Sequence, residues 1–376
     1  MTRLDRHASP NGILPSNDRN AERGAAPGAI VPAAANAGAR RVGGVRGDGA
    51  LAPAPVRASA AAPVPVMPTD LQQAAYILAR DVMGRPLPPT HQAVLWQGNE
   101  TRKAVLDMLP HGRGNVVTDV QATNRVSYQR TFAARAIVEG WPRRGSFDPE
   151  VAALTTLAGS GNCSEMVNLA AHVHAPRLEP GDRLLAQQVG FIDHTWLRVQ
   201  CATPDGGAPG SGHAAIIDPW AEGPVADPGD TRLPSGSVGD VSSTHRLDRG
   251  EARSSGHAFE LARADVEERH GDLLERNVRR GVDGWHILSD PEPLLDGRFA
   301  YHAREAVDAV GPVAARAGAV AVLQSAPAGF SASQAEENAD AVVAWARDLR
   351  RAHPRNVSAS RPSISPDAAR PDADAT

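Results

Sequence analysis

Ala158-Gly159-Ser160-Gly161-Asn162-Cys163-Ser164-Glu165-Met166 is a glycine-rich turn that runs directly into a helical pattern. From Cys163 to Val173, the apolar residues Met166, Val167, Ala170 and Val173 recur at spacings of three and four, which sets one face of a helix into a core. Cys163 then stands in the first helical turn. Backbone N–H groups there lack partners and the macrodipole is positive, so thiolate is favoured over thiol. A cysteine so placed is prepared as a nucleophile. Cys201, by contrast, falls at the end of an expected strand with no activating context.

Downstream the periodicity changes from helical to alternating. Thr195, Leu197 and Val199 alternate with His194, Trp196 and Arg198, as in a half-buried strand, and His213 to Ile217 is short and apolar enough to be its partner. The connector Thr203-Pro204-Asp205-Gly206-Gly207-Ala208-Pro209-Gly210-Ser211-Gly212 is turn-rich. A hairpin symmetric about residue 206 places position 194 opposite position 218, so antiparallel pairing sets His194 beside Asp218. Cys163, His194 and Asp218 are therefore the working catalytic set. A thiolate attacks an acyl carbon, an imidazole relays the proton, and a carboxylate fixes the imidazole's orientation and tautomer.

The set has rivals. His172 and His174 lie on the Cys163 helix, and His213 begins a strand; Asp193 and Asp205 compete with Asp218. A zinc site of His172, His174 and Cys163 is disfavoured because residues two apart on a helix point about 200° apart. Asp193 precedes His194 in the strand and faces the opposite side. Trp196 and Trp220 are expected to pack over the site. No Walker A loop, His-Glu-x-x-His, Cys-x-x-Cys or Gly-x-Ser-x-Gly is present. The arginines of Trp141-Pro142-Arg143-Arg144-Gly145 read as a solvated turn.

Around this centre the chain divides by composition. Residues 1–66 are Ala, Pro, Gly, Arg and Asn without a sustained apolar period and are expected to be disordered, as are residues 350–376. A helical N-terminal subdomain is expected over 67–147. Its helices begin at Thr69 or Asp70, run from Thr101 to Leu109, and run from Asn124 to Glu139. The catalytic domain follows over 148–349, with 222–256 read as a flexible, lid-like loop and helices at 258–275, 300–309 and 334–351. The fold class is α+β.

The formal net charge of -4 gives no general argument for nucleic acid or an acidic membrane surface. Lys103 is the single lysine among 39 basic residues. Two cysteines make no disulfide framework, and no stretch approaches the roughly 18 apolar residues of a spanning helix. A soluble protein in a reducing compartment is expected. The N-terminus lacks the apolar core of a secretory signal, and Thr2 stands where myristoylation requires glycine.

Taken together, Gly161-Asn162-Cys163-Ser164-Glu165, Ala171-His172-Val173-His174-Ala175-Pro176-Arg177-Leu178, His194-Thr195-Trp196 and Ile217-Asp218-Pro219-Trp220-Ala221-Glu222-Gly223-Pro224 resemble the HopX/AvrPphE/XopE family of type III-secreted effectors from plant-pathogenic bacteria. The resemblance spans roughly residues 70 to 350 and includes Tyr128-Gln129-Arg130-Thr131-Phe132-Ala133. It implies a papain-like, transglutaminase-like core with a nucleophile helix on an antiparallel sheet, and a Cys163, His194, Asp218 triad. The implied activity is that of a cysteine protease, or of a transglutaminase or glutamine deamidase, acting on host plant proteins in the host cytoplasm or nucleus. A secretion chaperone at the N-terminus is the other implied partner; no cofactor, metal, nucleic acid or stable membrane anchor is implied. Ser164 stands where many transglutaminase-like sites carry an aromatic. The oxyanion donors are therefore read as the backbone N–H of Cys163 and, as a further candidate, Asn162. The competing class is a non-catalytic adaptor that sequesters a host protein.

Overall fold

The computed structural model of the chain describes residues 65–142, 147–189, 192–202, 212–234, 243–281 and 288–351. Apart from two residues at each inner edge, the segments expected to be disordered, 1–66 and 350–376, lie outside them, as do Arg143, Arg144 and Asp205.

Five helices precede the nucleophile: α1 (Pro68–Val82), α2 (Pro89–Met108), α3 (Val117–Ala122), α4 (Val126–Val138) and α5 (Pro149–Ala158). Proline occupies the first helical position of α1, α2 and α5, where its missing N–H is not needed. Asp70 is thus the third residue of α1 rather than its cap, and its carboxylate accepts from the Met67 N–H at 2.9 Å. The same carboxylate pairs with Lys103 of α2 at 3.2 Å, and Lys103 also reaches Glu100 at 3.0 Å. Asp148 caps α5 by accepting from the Glu150 N–H.

The nucleophile helix α6 (Cys163–His174) packs on a four-stranded antiparallel sheet of order β5-β4-β3-β6, formed by β3 (Arg183–Val189), β4 (Ile192–Gln200), β5 (Ala214–Ile217) and β6 (Ser243–Asp248). A separate two-residue parallel pairing joins β1 (Gly112–Arg113) to β2 (Ser160–Gly161). The remainder is helical: α7 (Arg249–Arg280), α8 (Gly297–Val310), α9 (Pro312–Ser325) and α10 (Ala332–Arg347). Among the described residues no single helix is long and apolar enough to cross a membrane.

Two expectations are corrected. The helices of 67–147 do not form a subdomain of their own: α1 packs on α8, α9 and α10, and α2 on α6 and β5. Ile77, Leu95 and Ala133 therefore share one apolar core with Leu169, Trp196, Ile217 and Val342. Nor are the described residues of 222–256 an exposed loop. Val225 and Ala226 are buried, and Asp230, also buried, pairs with Arg80 and Arg85 while accepting from the Tyr76 hydroxyl at 2.7 Å. Ser243–Asp248 is an edge strand, and α7 begins at Arg249. Polar composition misled over 222–234 because Glu222, Asp230 and Thr231 are buried with partners rather than solvated; only 235–242 of the stretch lies outside the described residues.

Candidate active site

The turn before Cys163 is fixed from three sides. Gly159 closes α5 at φ +66°, a conformation that favours glycine, and a Cβ there would stand 3.0 Å from the His111 ring. Around the β1–β2 pairing, the His111 N–H donates to the Gly159 carbonyl at 2.9 Å, and the Gly114 N–H donates to the Gly161 carbonyl at 3.2 Å. Beyond it the Asn162 N–H donates to Glu165 Oε2 at 3.0 Å, with Arg135 of α4 holding the same carboxylate through Nε and Nη2 at 2.8 and 2.9 Å. Burial works to raise the Glu165 pKa, but the Arg135 charge and these hydrogen bonds carry it below its ordinary value. Cys163 is therefore the first residue of a helix whose start is held in place, and the residue is half-buried.

His194 lies on β4 with Asp218 just past the end of β5. The ladder pairs Leu197 with Ile217 and Val199 with Ala215, which continues to Trp196 opposite position 218. The register differs by two residues from the symmetric hairpin expected, and two is the spacing that leaves a side chain on the same face. His194 and Asp218 are thus diagonal neighbours on one face rather than directly opposed, within reach of an imidazole and a carboxylate. They meet at 2.5 Å, His194 Nε2 to Asp218 Oδ2, with both residues buried. Asp218 Oδ1 accepts from the Trp220 and Ala221 N–H groups at 3.0 Å each.

Electrostatics follow from this geometry. Burial works against the charged imidazole, yet the Asp218 charge and hydrogen bond override it, and Cys163 adds to them, so His194 is pushed up to about 10 from 6.5. Asp218 moves the other way: burial would raise it, while His194 and the two backbone donors hold it below its usual 3.8. With Nε2 committed to Asp218, the ring's Nδ1 is buried with no well-formed partner, and Cys163 is the side chain whose weak contact acts on the ring. Cys163 is close enough to act on the ring, and a loose nucleophile-base contact is common in a resting site. The Trp220 ring lies 4.9 Å from the imidazole and Trp196 6.3 Å, so both indoles pack on the site.

The structure joins His194 to Asp218, with Cys163 near enough to act on the imidazole, and among the described rivals none joins that hydrogen-bonded pair. His172 bonds at Ser255 and stacks on Phe259, with burial taking its pKa down to about 4. His174 meets Thr101 Oγ1 at 2.8 Å and is lowered to about 3 by burial. Both are held neutral in the core, and no metal-ligating cluster occurs among the described residues. His213 stacks on His91 at 4.7 Å. Asp193 is exposed, and its charge acts on Arg135 rather than on His194. Burial pushes the Cys201 thiol up to about 12, which marks an inert thiol. Asn162 is buried beside the nucleophile.

One residue that joins the site was not found from sequence. Arg113 pairs with Gly161 in the β1–β2 ladder, and its guanidinium bonds Asp119 through two nitrogens, the Trp220 carbonyl at 2.9 Å and Glu222 at 2.8 Å. It links the turn that carries Cys163 to the segment that carries Asp218. An arginine after Pro110-His111-Gly112 has no motif to flag it. The Glu165 clamp did have a signal, since Asn162-x-x-Glu165 is a capping-box spacing.

Comparison of the chain with protein-family models, with curated proteins and with solved structures found no match in any of the three.

Proposed function

We propose that the protein is a cysteine-dependent acyl-transfer enzyme of papain-like, transglutaminase-like design, acting as a cysteine protease. The observation that carries this reading is the buried His194–Asp218 hydrogen bond of 2.5 Å on a ring that also feels Cys163, the first residue of a helix.

In the mechanism, the Cys163 thiolate attacks the acyl carbon, forming a C–S bond as the carbonyl electrons move to oxygen. The Cys163 backbone N–H, unpaired at a helix start, donates to that oxyanion. Collapse restores the carbonyl and breaks the C–N bond, and the departing nitrogen takes the proton from His194. The thioester is then cleaved by an incoming water from which His194 accepts a proton, which regenerates the thiolate and an acid. Asp218 holds Nε2 throughout and stabilises the imidazolium. A glutamine side chain losing ammonia gives deamidation by the same steps, and an amine in place of water gives transamidation.

The resemblance to the HopX/AvrPphE/XopE effectors extends the proposal to a type III-secreted protein that modifies host plant proteins of immune or hormone signalling. The test is incubation of wild type and Cys163→Ala with plant cell extract, read by mass spectrometry. Cleaved backbones, glutamines shifted by one dalton, or amine adducts that vanish in the variant support acyl transfer and identify the acceptor. A Cys163→Ala protein that retains the full effect in plant cells removes the enzyme reading and leaves an adaptor.

A further inference from the structure

Residues 111–115 form a strap between the two halves of the site and end at Asn115. On one side the strap is bonded to the nucleophile turn: the Gly114 N–H donates to the Gly161 carbonyl at 3.2 Å, two residues before Cys163. On the other, Asn115 Oδ1 accepts from the Trp220 indole Nε1–H at 2.9 Å. Trp220 in turn touches both members of the acid–base pair. Its backbone N–H donates to Asp218 Oδ1 at 3.0 Å, and its ring stands 4.9 Å from the His194 ring, tilted by 46°. We propose that Asn115 is a positioning residue of the Cys163 enzyme: by holding the Trp220 indole it fixes the wall against which the His194 imidazole rests, and so keeps that ring turned toward Cys163. The inference rests on the acyl-transfer reading above.

Three observations carry it. The first is the indole itself: Trp220 is buried, a buried indole N–H needs a partner, and Asn115 supplies one, which selects a single orientation of the ring. The second is that the Trp220 backbone is already fixed. The Arg113 guanidinium holds its carbonyl at 2.9 Å while Asp218 accepts from its N–H, so the side-chain torsions are the freedom left, and Asn115 removes it. The third is that the strap is seated. A Cβ on Gly114 would stand 2.2 Å from Thr131 Oγ1, the Asn115 carbonyl accepts from the Ser289 N–H at 2.7 Å, and the Val117 N–H donates to the Ser289 carbonyl at 3.0 Å. Asn115 therefore reaches Trp220 from a backbone whose distance to the Cys163 turn is set. His194 needs such a wall, because one hydrogen bond at Nε2 fixes a point on the imidazole and not its plane.

The experiment uses the full chain and reads, by peptide mass spectrometry, the rate at which iodoacetamide labels Cys163, with Cys201 as the internal reference for an unactivated thiol. Asn115→Leu, of similar size but without an acceptor, should slow labelling of Cys163 about tenfold, because a thiol that loses its imidazolium partner loses thiolate. Trp220→Phe, which removes the donor and keeps an aromatic ring, should slow it to a similar extent. The two effects should not add: in the Trp220→Phe background, Asn115→Leu is expected to change the rate by less than about twofold. Asn115→Asp, which keeps an oxygen acceptor at the same position, should restore most of the rate. If Asn115→Leu fails to fold by circular dichroism, Trp220→Phe carries the same prediction from the other side of the bond. Wild-type labelling in folded Asn115→Leu or Trp220→Phe, full additivity of the two, or Asn115→Asp as slow as Asn115→Leu overturns the positioning role alone. Cys163 labelled no faster than Cys201 in the wild type overturns the acyl-transfer reading along with it.

Discussion

His194 and Asp218 hold opposite shifts, and each sign has a measurable consequence. The folded pKa of His194 lies above 6.5, so the stability it contributes is complete below that pH and is lost as pH rises through its raised value near 10. Asp218 is depressed, so its contribution is present above 3.8 and is lost as pH falls through the lowered folded value. Urea unfolding followed from pH 6.5 to 10 should show wild type losing more stability than Asp218→Asn, which has no charge to retain the imidazolium; equal slopes would contradict the pairing. Under the proposed mechanism Asp218→Asn should lower kcat by roughly 10³–10⁴-fold through loss of the tautomer and the imidazolium partner, with the fold retained by circular dichroism. Arg113 is the other residue of consequence. Its guanidinium is 1 % exposed, so Arg113→Ala removes a buried cation that pairs with the carboxylates of both Asp119 and Glu222. The expected cost is about 3–5 kcal/mol in chemical denaturation, with Arg113→Lys recovering only part because a point charge cannot reproduce the fork.

At the scale of elements, the turn and the hairpin illustrate what a sequence discloses. The helix of Cys163 and the helices at 126–138 and 149–158 were legible from apolar residues at helical spacing, and the strand of His194 from the alternation of Thr195, Leu197 and Val199 with His194, Trp196 and Arg198. Register was legible only up to its parity: the pattern fixed which residues share a face, while the long connector left the offset free by two. The helix Pro312–Ser325 was not foreseen. It is alanine-rich, and Ala315, Ala319, Val322 and Leu323 are buried while Val313 is 82 % exposed, so its apolar residues do not mark out a single face. The strand Ser243–Asp248 escaped for a related reason, since an edge strand carries polar residues. A test belongs here as well. Gly159→Ala forces a side chain into a φ of +66° and against His111, and should destabilise by about 1–2 kcal/mol in thermal or urea unfolding. Gly84→Ala shares a positive φ of +70° but meets no atom within 4 Å, and should cost less.

Across the whole molecule, the first helix and the segment after the Asp218 strand are tied together far along the chain. Asp230 draws Arg80, Arg85 and Tyr76 of the N-terminal part onto the stretch that leaves β5, and Gln73 bonds both the N–H and the carbonyl of Val225. The placement of Asp218 therefore depends on helices that contribute nothing to the chemistry. Asp230→Ala takes the carboxylate acceptor from the Tyr76 hydroxyl and from the largely buried Arg80 guanidinium and should destabilise by about 3 kcal/mol, with labelling of Cys163 by iodoacetamide slowed as well. Unchanged labelling in a folded variant would show that the clamp serves stability alone. Sequence could not disclose this tie, because its partners lie some 150 residues apart and no local pattern connects them.

The ion-paired Lys103, 16 % exposed between Asp70 and Glu100, has a practical and a chemical consequence. It is the single side-chain primary amine in 376 residues. If the thioester on Cys163 is resolved by amines, neighbouring copies of the protein offer it almost no acceptor, and preparations should stay free of self-made crosslinks at concentrations where lysine-rich proteins would polymerise. The same scarcity makes amine-directed dyes and crosslinkers nearly blind to this chain, so adducts they form in a mixture will report on its targets.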